Sequence, residues 1–186
     1  SIVEKWYEKA IQERGKTIEN IFLARDLGDT PACDLTPESF AKKVKETKWK
    51  NTKLKILNPK QVEKKGLGLL WNVWKGSYNK PYMVILERIV DKSLPTIAIV
   101  WKGVVFDSGG LDIKTKMMYE MKDDMCGAWT AFALMKELDR HDIKVNIITC
   151  LCLAENAIWG WSYRPSDIIT GYNGDTVDIT NTDAEW

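Results

Sequence analysis

Three short runs of apolar residues rich in β-branched side chains constrain the fold of this chain more than any other feature. They cover residues 82–86, 96–106 and 145–153, and such runs are typical of strands buried in the middle of a sheet. A helical pattern over residues 124–140 separates the second run from the third. Strands that alternate with helices predict an α/β fold with a layered, mainly parallel (mixed) sheet flanked by helices.

The flanking segments complete this organisation. A helix is predicted over residues 1–26, and Thr36, followed by a proline, offers the N-cap of another. Residues 53–57 alternate like a short strand, and Asn173-Gly174 between two polar-apolar runs indicates a β-hairpin. Because no repeat or linker interrupts the sequence, we expect residues 1–186 to form a single α/β domain.

Composition excludes several functions. Lys and Arg number 27 against 26 Asp and Glu, so we expect no nucleic-acid partner. No run of 18 apolar residues exists and the start of the chain is charged, so we expect neither a membrane span nor a signal peptide. The four cysteines form no CxxC pair, which suits a cytoplasmic location. With His141 as the single histidine, a metal site would have to use carboxylates.

Four carboxylates stand where they could form such a site. Asp107 comes at the end of the second apolar run, at the sheet edge where α/β proteins bind ligands. Asp124 begins the predicted helix. Asp183 and Glu185 are two residues apart, so in an extended chain both side chains point the same way. Together these groups could hold two divalent cations, which polarise a carbonyl and generate hydroxide near neutral pH.

Each candidate also has a simpler interpretation. Asp124 could be only a helix N-cap. Asp183 and Glu185 could belong to a solvated segment, and Lys114 could be a surface lysine. Lys102 is harder to explain in this way, because an ammonium inside an apolar strand requires a partner or a task.

Five motifs follow one another along the chain: Lys102-Gly103, Phe106-Asp107-Ser108-Gly109-Gly110, Lys114, Met121-Lys122-Asp123-Asp124-Met125 and Asn181-Thr182-Asp183-Ala184-Glu185. In this order they resemble the leucine aminopeptidase (cytosol aminopeptidase) family of dinuclear metallo-aminopeptidases. Residues 23–37 and 155–167 extend the resemblance to essentially the whole chain. It implies an aminopeptidase catalytic domain with two divalent metal ions (Zn, Mn, Co or Mg), acting on the N-terminus of a peptide.

The resemblance also implies a role for each site residue. One metal would be held by Lys102, Asp107, Asp124 and Glu185, and the other by Asp107, Asp183 and Glu185. Lys114 would polarise the substrate carbonyl and stabilise the tetrahedral oxyanion. A hydroxide bridging the metals would attack the first peptide bond.

The chain departs from the family pattern after Glu185, where the family has a Gly and a catalytic Arg and this sequence has Trp186. The later part of the family's catalytic domain and its N-terminal domain have no match either. We therefore expect an incomplete catalytic domain with impaired activity, acting as a homo-oligomer or with a completing chain. The alternative is a non-catalytic structural or self-assembling module, degenerate or engineered, on the same fold.

Tryptophan is the other departure, with 9 in the chain. The family has small or polar residues in the segments that here carry Trp71, Trp74, Trp101, Trp129, Trp159 and Trp161. An indole in place of a small residue overpacks a core unless it finds new space. We expect several of these side chains in a chain–chain contact or over the metal pocket, with Trp101 and Trp186 obstructing metal entry.

Overall fold

A computed structural model describes residues 2–185, so the expected position of Trp186 lies outside the described residues. The helices are α1 (Ile2–Asp29), α2 (Pro37–Glu46), α3 (Pro59–Lys64), α4 (Gly68–Trp74) and α5 (Cys126–Arg140), and a 3-10 helix covers Met118–Asp123. The strands are β1 (Lys53–Leu57), β2 (Tyr82–Arg88), β3 (Thr96–Asp107), β4 (Asn146–Asn156), β5 (Ile168–Thr170) and β6 (Thr176–Asp178). Within residues 2–185, no helix combines the length and apolar character needed to cross a lipid bilayer.

Local signals in the sequence set several of these boundaries. The hydroxyl of Thr36 accepts a hydrogen bond from the backbone N–H of Ser39 at 3.2 Å, and the Ser39 hydroxyl accepts one from the backbone N–H of Thr36 at 2.8 Å. This capping box, with Pro37 in the first turn, starts α2 as predicted. The predicted hairpin is also confirmed, because β5 and β6 pair antiparallel around Gly174, whose φ is 92°.

The main sheet has the strand order β1-β2-β4-β3. β3 and β4 run parallel and are joined through α5, whereas β1–β2 and β2–β4 are antiparallel. The α/β class and the mixed sheet are thus confirmed, with parallel pairing between β3 and β4 among the described strands. The short connection from β2 to β3 reverses the chain, and β4 then inserts between the two strands.

β3 differs from the sequence-based expectation of a buried central strand. It lies at one edge of the sheet as described, and Ile97 and Val100 are 51% and 52% exposed. The expectation is wrong for β3 because an apolar run does not reveal which strand inserts where. β2 and β4 take the central positions instead.

The buried guanidinium of Arg88 holds the entry to β4. It lies at the end of β2 and is 1% exposed. It donates to the carbonyl oxygens of His141 and Ile143, each at 2.8 Å, and to that of Val145 at 3.0 Å. One side chain therefore satisfies three carbonyls of the segment that leads into β4.

The main core lies between the sheet and helices α1, α2 and α5. Its fully buried members include Leu27, Phe40, Val84, Leu86, Phe132, Met135, Leu151 and Leu153. A smaller core packs α4 and the β5–β6 hairpin against the carboxyl end of β4, through Val73, Ala154, Tyr163 and Ile169. This second core brings the last described segment of the chain to the ends of β3 and β4.

A polar network, which we call the Glu137 clamp, fixes α1 on α5. The Glu137 carboxylate accepts hydrogen bonds from Thr17 at 2.8 Å, Asn20 at 2.7 Å and Arg140 at 2.6 Å, and lies 2.9 Å from Nε2 of His141. Burial alone would raise the pKa of Glu137, but these partners hold it at about 2. Both oxygens of this carboxylate are thus satisfied.

Candidate metal centre

The site begins where β3 and β4 end side by side. Asp107 and Asn156 are partners in the parallel register. The side-chain amide of Asn156 donates a hydrogen bond of 2.8 Å to Oδ1 of Asp107. Asp107 therefore lies at the carboxyl edge of the parallel pair, as the sequence predicts.

The loop after β3 wraps around the Asp107 carboxylate. The backbone N–H of Gly109 also donates to Oδ1 of Asp107, at 2.8 Å. Gly109 and Gly110 have φ values of 87° and 64°, and a Cβ on Gly109 would lie 2.4 Å from the carbonyl oxygen of Asp112. Only glycine adopts this turn without strain. Two donors thus engage Oδ1, and Oδ2 is left to face the site.

Asp107 is joined there by three further carboxylates, and together we call Asp107, Asp124, Asp183 and Glu185 the carboxylate cluster. Carboxylate oxygens of Asp107, Asp183 and Glu185 all lie within 4.8 Å of one another. The Asp107 side chain is 1% exposed and that of Glu185 is 0% exposed. Like charges this close and this buried require positive charge beside them.

Lys102 supplies part of that charge. Its side chain leaves β3 opposite Cys152, and its Nζ lies 2.7 Å from Oδ2 of Asp124 and contacts Glu185. Burial would lower the pKa of Lys102, but the hydrogen bonds and charges of Asp124 and Glu185 raise it above its ordinary value. The buried lysine of the strand therefore has the partner that its position requires.

Lys114 supplies the rest. Its Nζ lies 3.0 Å from Oδ2 of Asp107 and 2.5 Å from Oδ1 of Asp183. Burial opposes this charge as well, and the two carboxylates outweigh it, so the pKa of Lys114 is well above its usual range. The interpretation of Lys114 as a surface lysine is wrong, because its side chain is only 16% exposed.

Asp124 is not the N-cap of α5. Met125 takes the N-cap position of α5 and no side chain caps that helix. Burial, with Glu185 and Asp107 adding to it, raises the pKa of Asp124 to about 6 despite the opposing effect of Lys102. Asp124 thus carries a charge that its surroundings stabilise poorly.

Several buried oxygens of the cluster have a lysine ammonium group as their polar partner. Oδ2 of Asp124 and Oε1 of Glu185 contact Lys102, and Oδ1 of Asp183 contacts Lys114. No further donor among residues 2–185 reaches these oxygens, and Oε2 of Glu185 is buried without a hydrogen bond there. Carboxylate oxygens that converge with so few donors are the ligands that hard divalent cations take, so the residues present fit a metal centre.

Three residues position the site without having been assigned a role from the sequence. The carbonyl oxygen of Thr182 accepts hydrogen bonds from the Asn156 amide at 2.9 Å and from the Tyr163 hydroxyl at 2.7 Å. These bonds tie the segment that carries Asp183 to the end of β4. Burial, helped by Glu185 and other nearby carboxylates, raises the pKa of Tyr163. The sequence did contain a signal for Asn156, because it is a polar residue at the end of the apolar run that forms β4.

Trp101 packs on α5, where a Cβ on Gly127 would come within 2.4 Å of the indole ring. Successive residues of a strand face opposite sides, so the Trp101 and Lys102 side chains leave β3 on different faces of the sheet. Trp101 also borders a pocket of about 220 Å³ that Lys102 and Glu185 line. The expectation that Trp101 obstructs metal entry stays a prediction.

The other substituted positions fall into two places. Trp129 packs beside Gly28 of α1. Trp71, Trp74, Trp159 and Trp161 instead gather in one cleft of about 840 Å³, which we call the tryptophan cleft.

Comparison with known proteins places this arrangement in context. Residues 22–185 match the cytosol aminopeptidase family, catalytic domain. A probable cytosol aminopeptidase of Wolbachia pipientis is 38% identical over 181 residues, which are 96% of this chain and 36% of the relative. The crystal structure of the cytosol aminopeptidase from Coxiella burnetii superposes with a TM-score of 0.85 at 37% identity, over 95% of this chain and 39% of that one. The bottromycin maturation enzyme BotP in complex with Mn has a TM-score of 0.84 at 34% identity, over 96% and 39%. The chain spans little more than a third of these proteins.

Proposed function

Because this chain belongs to the cytosol aminopeptidase family, we propose that residues 1–186 form a single α/β unit carrying the metal centre of an aminopeptidase. Its substrate is the N-terminus of a peptide, and its reaction is hydrolysis of the first peptide bond. The observation that carries the proposal is the convergence of three carboxylates within 4.8 Å, flanked by Lys102 and Lys114.

The donor set divides between two cations. Asp107, Asp183 and Glu185 would hold one, and Lys102 and Asp124 would join Asp107 and Glu185 around the other. Lys102 would have to be neutral to act as a ligand, which the positive charge of the cations favours. When bound, the two cations supply Lewis-acid polarisation and a hydroxide near neutral pH. Zn²⁺, Mn²⁺, Co²⁺ and Mg²⁺ are candidates, and the BotP complex supports Mn²⁺ as the first to test.

The chain's own residues would orient the substrate. Lys114, with three N–H donors and a 2.5 Å contact to Asp183, would donate to the carbonyl oxygen of the first peptide bond. Such a donor stabilises the negative charge that develops on that oxygen. The two hydrogen bonds on Oδ1 of Asp107 hold the carboxylate still and direct Oδ2 toward the site. Burial of the cluster strengthens these charge interactions.

Metal content tests the proposal directly. After equilibration with Mn²⁺ and dialysis, we expect two ions per chain by mass spectrometry and a weak, Mn²⁺-dependent release of p-nitroaniline from leucine p-nitroanilide, in keeping with the impaired activity expected of an incomplete catalytic domain. Asp107→Asn should lose both properties, while Lys114→Met should lose the hydrolysis. Asp142→Asn, a change of an exposed aspartate, is the matched control. A chain that retains no metal, or that binds metal equally well with Asn at position 107, would contradict the proposal.

A further inference from the structure

The tryptophan cleft lies at the same edge of the sheet as the carboxylate cluster. Trp159 and Trp161 follow the carboxyl end of β4, and Trp74 ends α4, which packs against that strand. The segments are tightly joined, because a Cβ on Gly76 would come within 1.7 Å of the carbonyl oxygen of Ala157. Ligands of α/β proteins bind outside the carboxyl ends of the strands, where both sites are found.

Tyr163 belongs to both sites. It lines the tryptophan cleft, and its hydroxyl donates to the carbonyl oxygen of Thr182, the residue before Asp183. The cleft and the carboxylate cluster are therefore adjacent. A peptide bound by its N-terminus at the cluster needs space for its remaining residues, and the cleft of about 840 Å³ offers such a space.

The walls of the cleft are flat, apolar and accessible. Trp159 and Trp161 are 71% and 78% exposed, which is unusual for so large an apolar side chain. Trp71 and Trp74 pack with ring centroids 4.5 Å apart. Nε1 of Trp74 is buried without a hydrogen-bond partner among the described residues. The cleft thus offers indole faces on which a ligand ring can stack.

The rim of the cleft carries an excess of one positive charge. Lys75, Arg164 and Asp167 line it, and Arg164 pairs with Asp167 at 3.2 Å. This balance complements a ligand with one negative charge. The C-terminal carboxylate of a short peptide is such a charge, and the cleft volume of about 840 Å³ lies in the range of ligand pockets.

We propose that the tryptophan cleft binds the downstream part of peptides whose N-terminus occupies the carboxylate cluster. An aromatic side chain stacks on the indoles, and the free C-terminal carboxylate lies beside Lys75. The substrate class is therefore short peptides with an aromatic residue near a free C-terminus. This inference rests on the proposed function, and it adds a preference that the metal centre alone does not provide.

Tryptophan fluorescence of the metal-free chain tests the cleft apart from catalysis. We expect Leu-Gly-Gly-Phe to bind at least about tenfold more tightly than Leu-Gly-Gly-Gly, because one aromatic side chain is removed from water. Blocking the C-terminus of Leu-Gly-Gly-Phe as an amide should weaken binding severalfold. Trp159→Ser and Trp161→Ser should each reduce the preference for Phe, and the double variant should abolish it. Trp6→Ser, which removes an exposed indole of α1, should leave it unchanged.

Other results overturn the inference. Equal affinities for the two peptides, or a preference for Phe that survives in the variant with both Trp159→Ser and Trp161→Ser, would show that the cleft does not bind the aromatic side chain. Sedimentation that shows dimers lost in Trp159→Ser would mean that the cleft is an interface between copies. Tighter binding of a neutral oligosaccharide such as cellotetraose would assign the indoles to sugar rings.

The two proposals fail in different ways. Release of leucine from both peptides at equal rates by the Mn²⁺-loaded chain would overturn the cleft inference and leave the proposed function standing. A preference for Phe in fluorescence, in a chain that takes up no Mn²⁺ when it is equilibrated with the ion, would overturn the proposed function and support the cleft as a peptide site. Metal content of the Trp159→Ser variant should remain two ions per chain, since none of the proposed ligands is altered.

Discussion

The Glu137 clamp and the carboxylate cluster both hold carboxylates among polar side chains but satisfy them differently. In the clamp, Thr17, Asn20, Arg140 and His141 surround one carboxylate and contact both of its oxygens. In the cluster, four carboxylates share the ammonium groups of two lysines. The pKa values follow this difference, about 2 for Glu137 and about 6 for Asp124.

This difference separates a structural charge from a functional one. A carboxylate surrounded by donors stabilises the fold as it stands. Four converging carboxylates that share only two ammonium groups repel one another, so the binding of a cation can stabilise the chain. We therefore expect a divalent cation to stabilise the chain through the carboxylate cluster and not through the Glu137 clamp. Neutralising Glu137 should instead destabilise the chain whether or not the cation is present.

The largest expected effect is the loss of metal stabilisation in Asp107→Asn. At a Mn²⁺ concentration about 100 times the Kd, binding should stabilise the wild-type chain by about 2.7 kcal/mol. The variant lacks the carboxylate whose Oδ2 faces the site, so its melting temperature should not rise with Mn²⁺. Calorimetry with and without the ion measures this, and Glu137→Gln should keep the full rise. An equal rise in Asp107→Asn would erase the distinction between the regions.

Neutralising the clamp should destabilise the chain without metal. Glu137→Gln removes a charge that accepts hydrogen bonds from Thr17, Asn20 and Arg140, and hydrogen bonds to charged groups are worth about 2 kcal/mol. We expect urea unfolding to show a loss of about that size. Glu8→Gln, a change of an exposed glutamate on α1, the helix of Thr17 and Asn20, should alter stability by less than about 0.5 kcal/mol. A loss no larger than that of Glu8→Gln would mean that the clamp is not structural.

The contribution of Glu137 should disappear in acid. Its pKa is about 2 in the folded chain against an ordinary 4.5, so the stabilisation is complete above about pH 4.5 and is lost as the pH falls toward 2. The difference in unfolding free energy between wild type and Glu137→Gln should therefore shrink from about 2 kcal/mol at pH 6 toward zero near pH 2. A difference that stays constant with pH would show that charge is not its cause.

The smallest effect tests one bond of the clamp. Thr17→Val removes a 2.8 Å hydrogen bond to Oε1 of Glu137 and keeps the shape of the side chain, so we expect a loss of about 1 kcal/mol. Thr17→Ser retains the hydroxyl and should recover most of it. Equal unfolding free energies of the Val and Ser variants would mean that the Thr17 hydroxyl contributes little and that the other partners of Glu137 stabilise the clamp.

Much of the fold was predictable because its signals are local. The proline after Thr36 and the Asn173-Gly174 pair set an α-helix start and a hairpin through the chemistry of a few neighbouring residues. The order of strands was not predictable in this way. Placing β3 at the edge depends on β4 inserting beside it, and an apolar run carries no information about its neighbours.

The site shows the same division. The geometry brings together the six residues chosen from the motifs. Their roles as ligands remain predictions. The clamp around Glu137 and the bonds on Thr182 were missed, because they join residues far apart in sequence with no pattern that links them. The tryptophans were noticed as substitutions, but their gathering in one cleft required the packing of α4 on β4.

The insertion of β4 between β2 and β3 also bears on how fast the chain can fold. β2 and β3 are close in sequence, so pairing them directly as a hairpin would be quick, yet such a pairing is non-native and must open again. The native sheet can form only once β4 is available, and β4 is synthesised after the whole of α5. The three carbonyls held by Arg88 give the late strand a fixed starting point. We therefore expect slow, topology-limited folding, in which Arg88→Met slows the productive pairing of β4 more than it speeds unfolding.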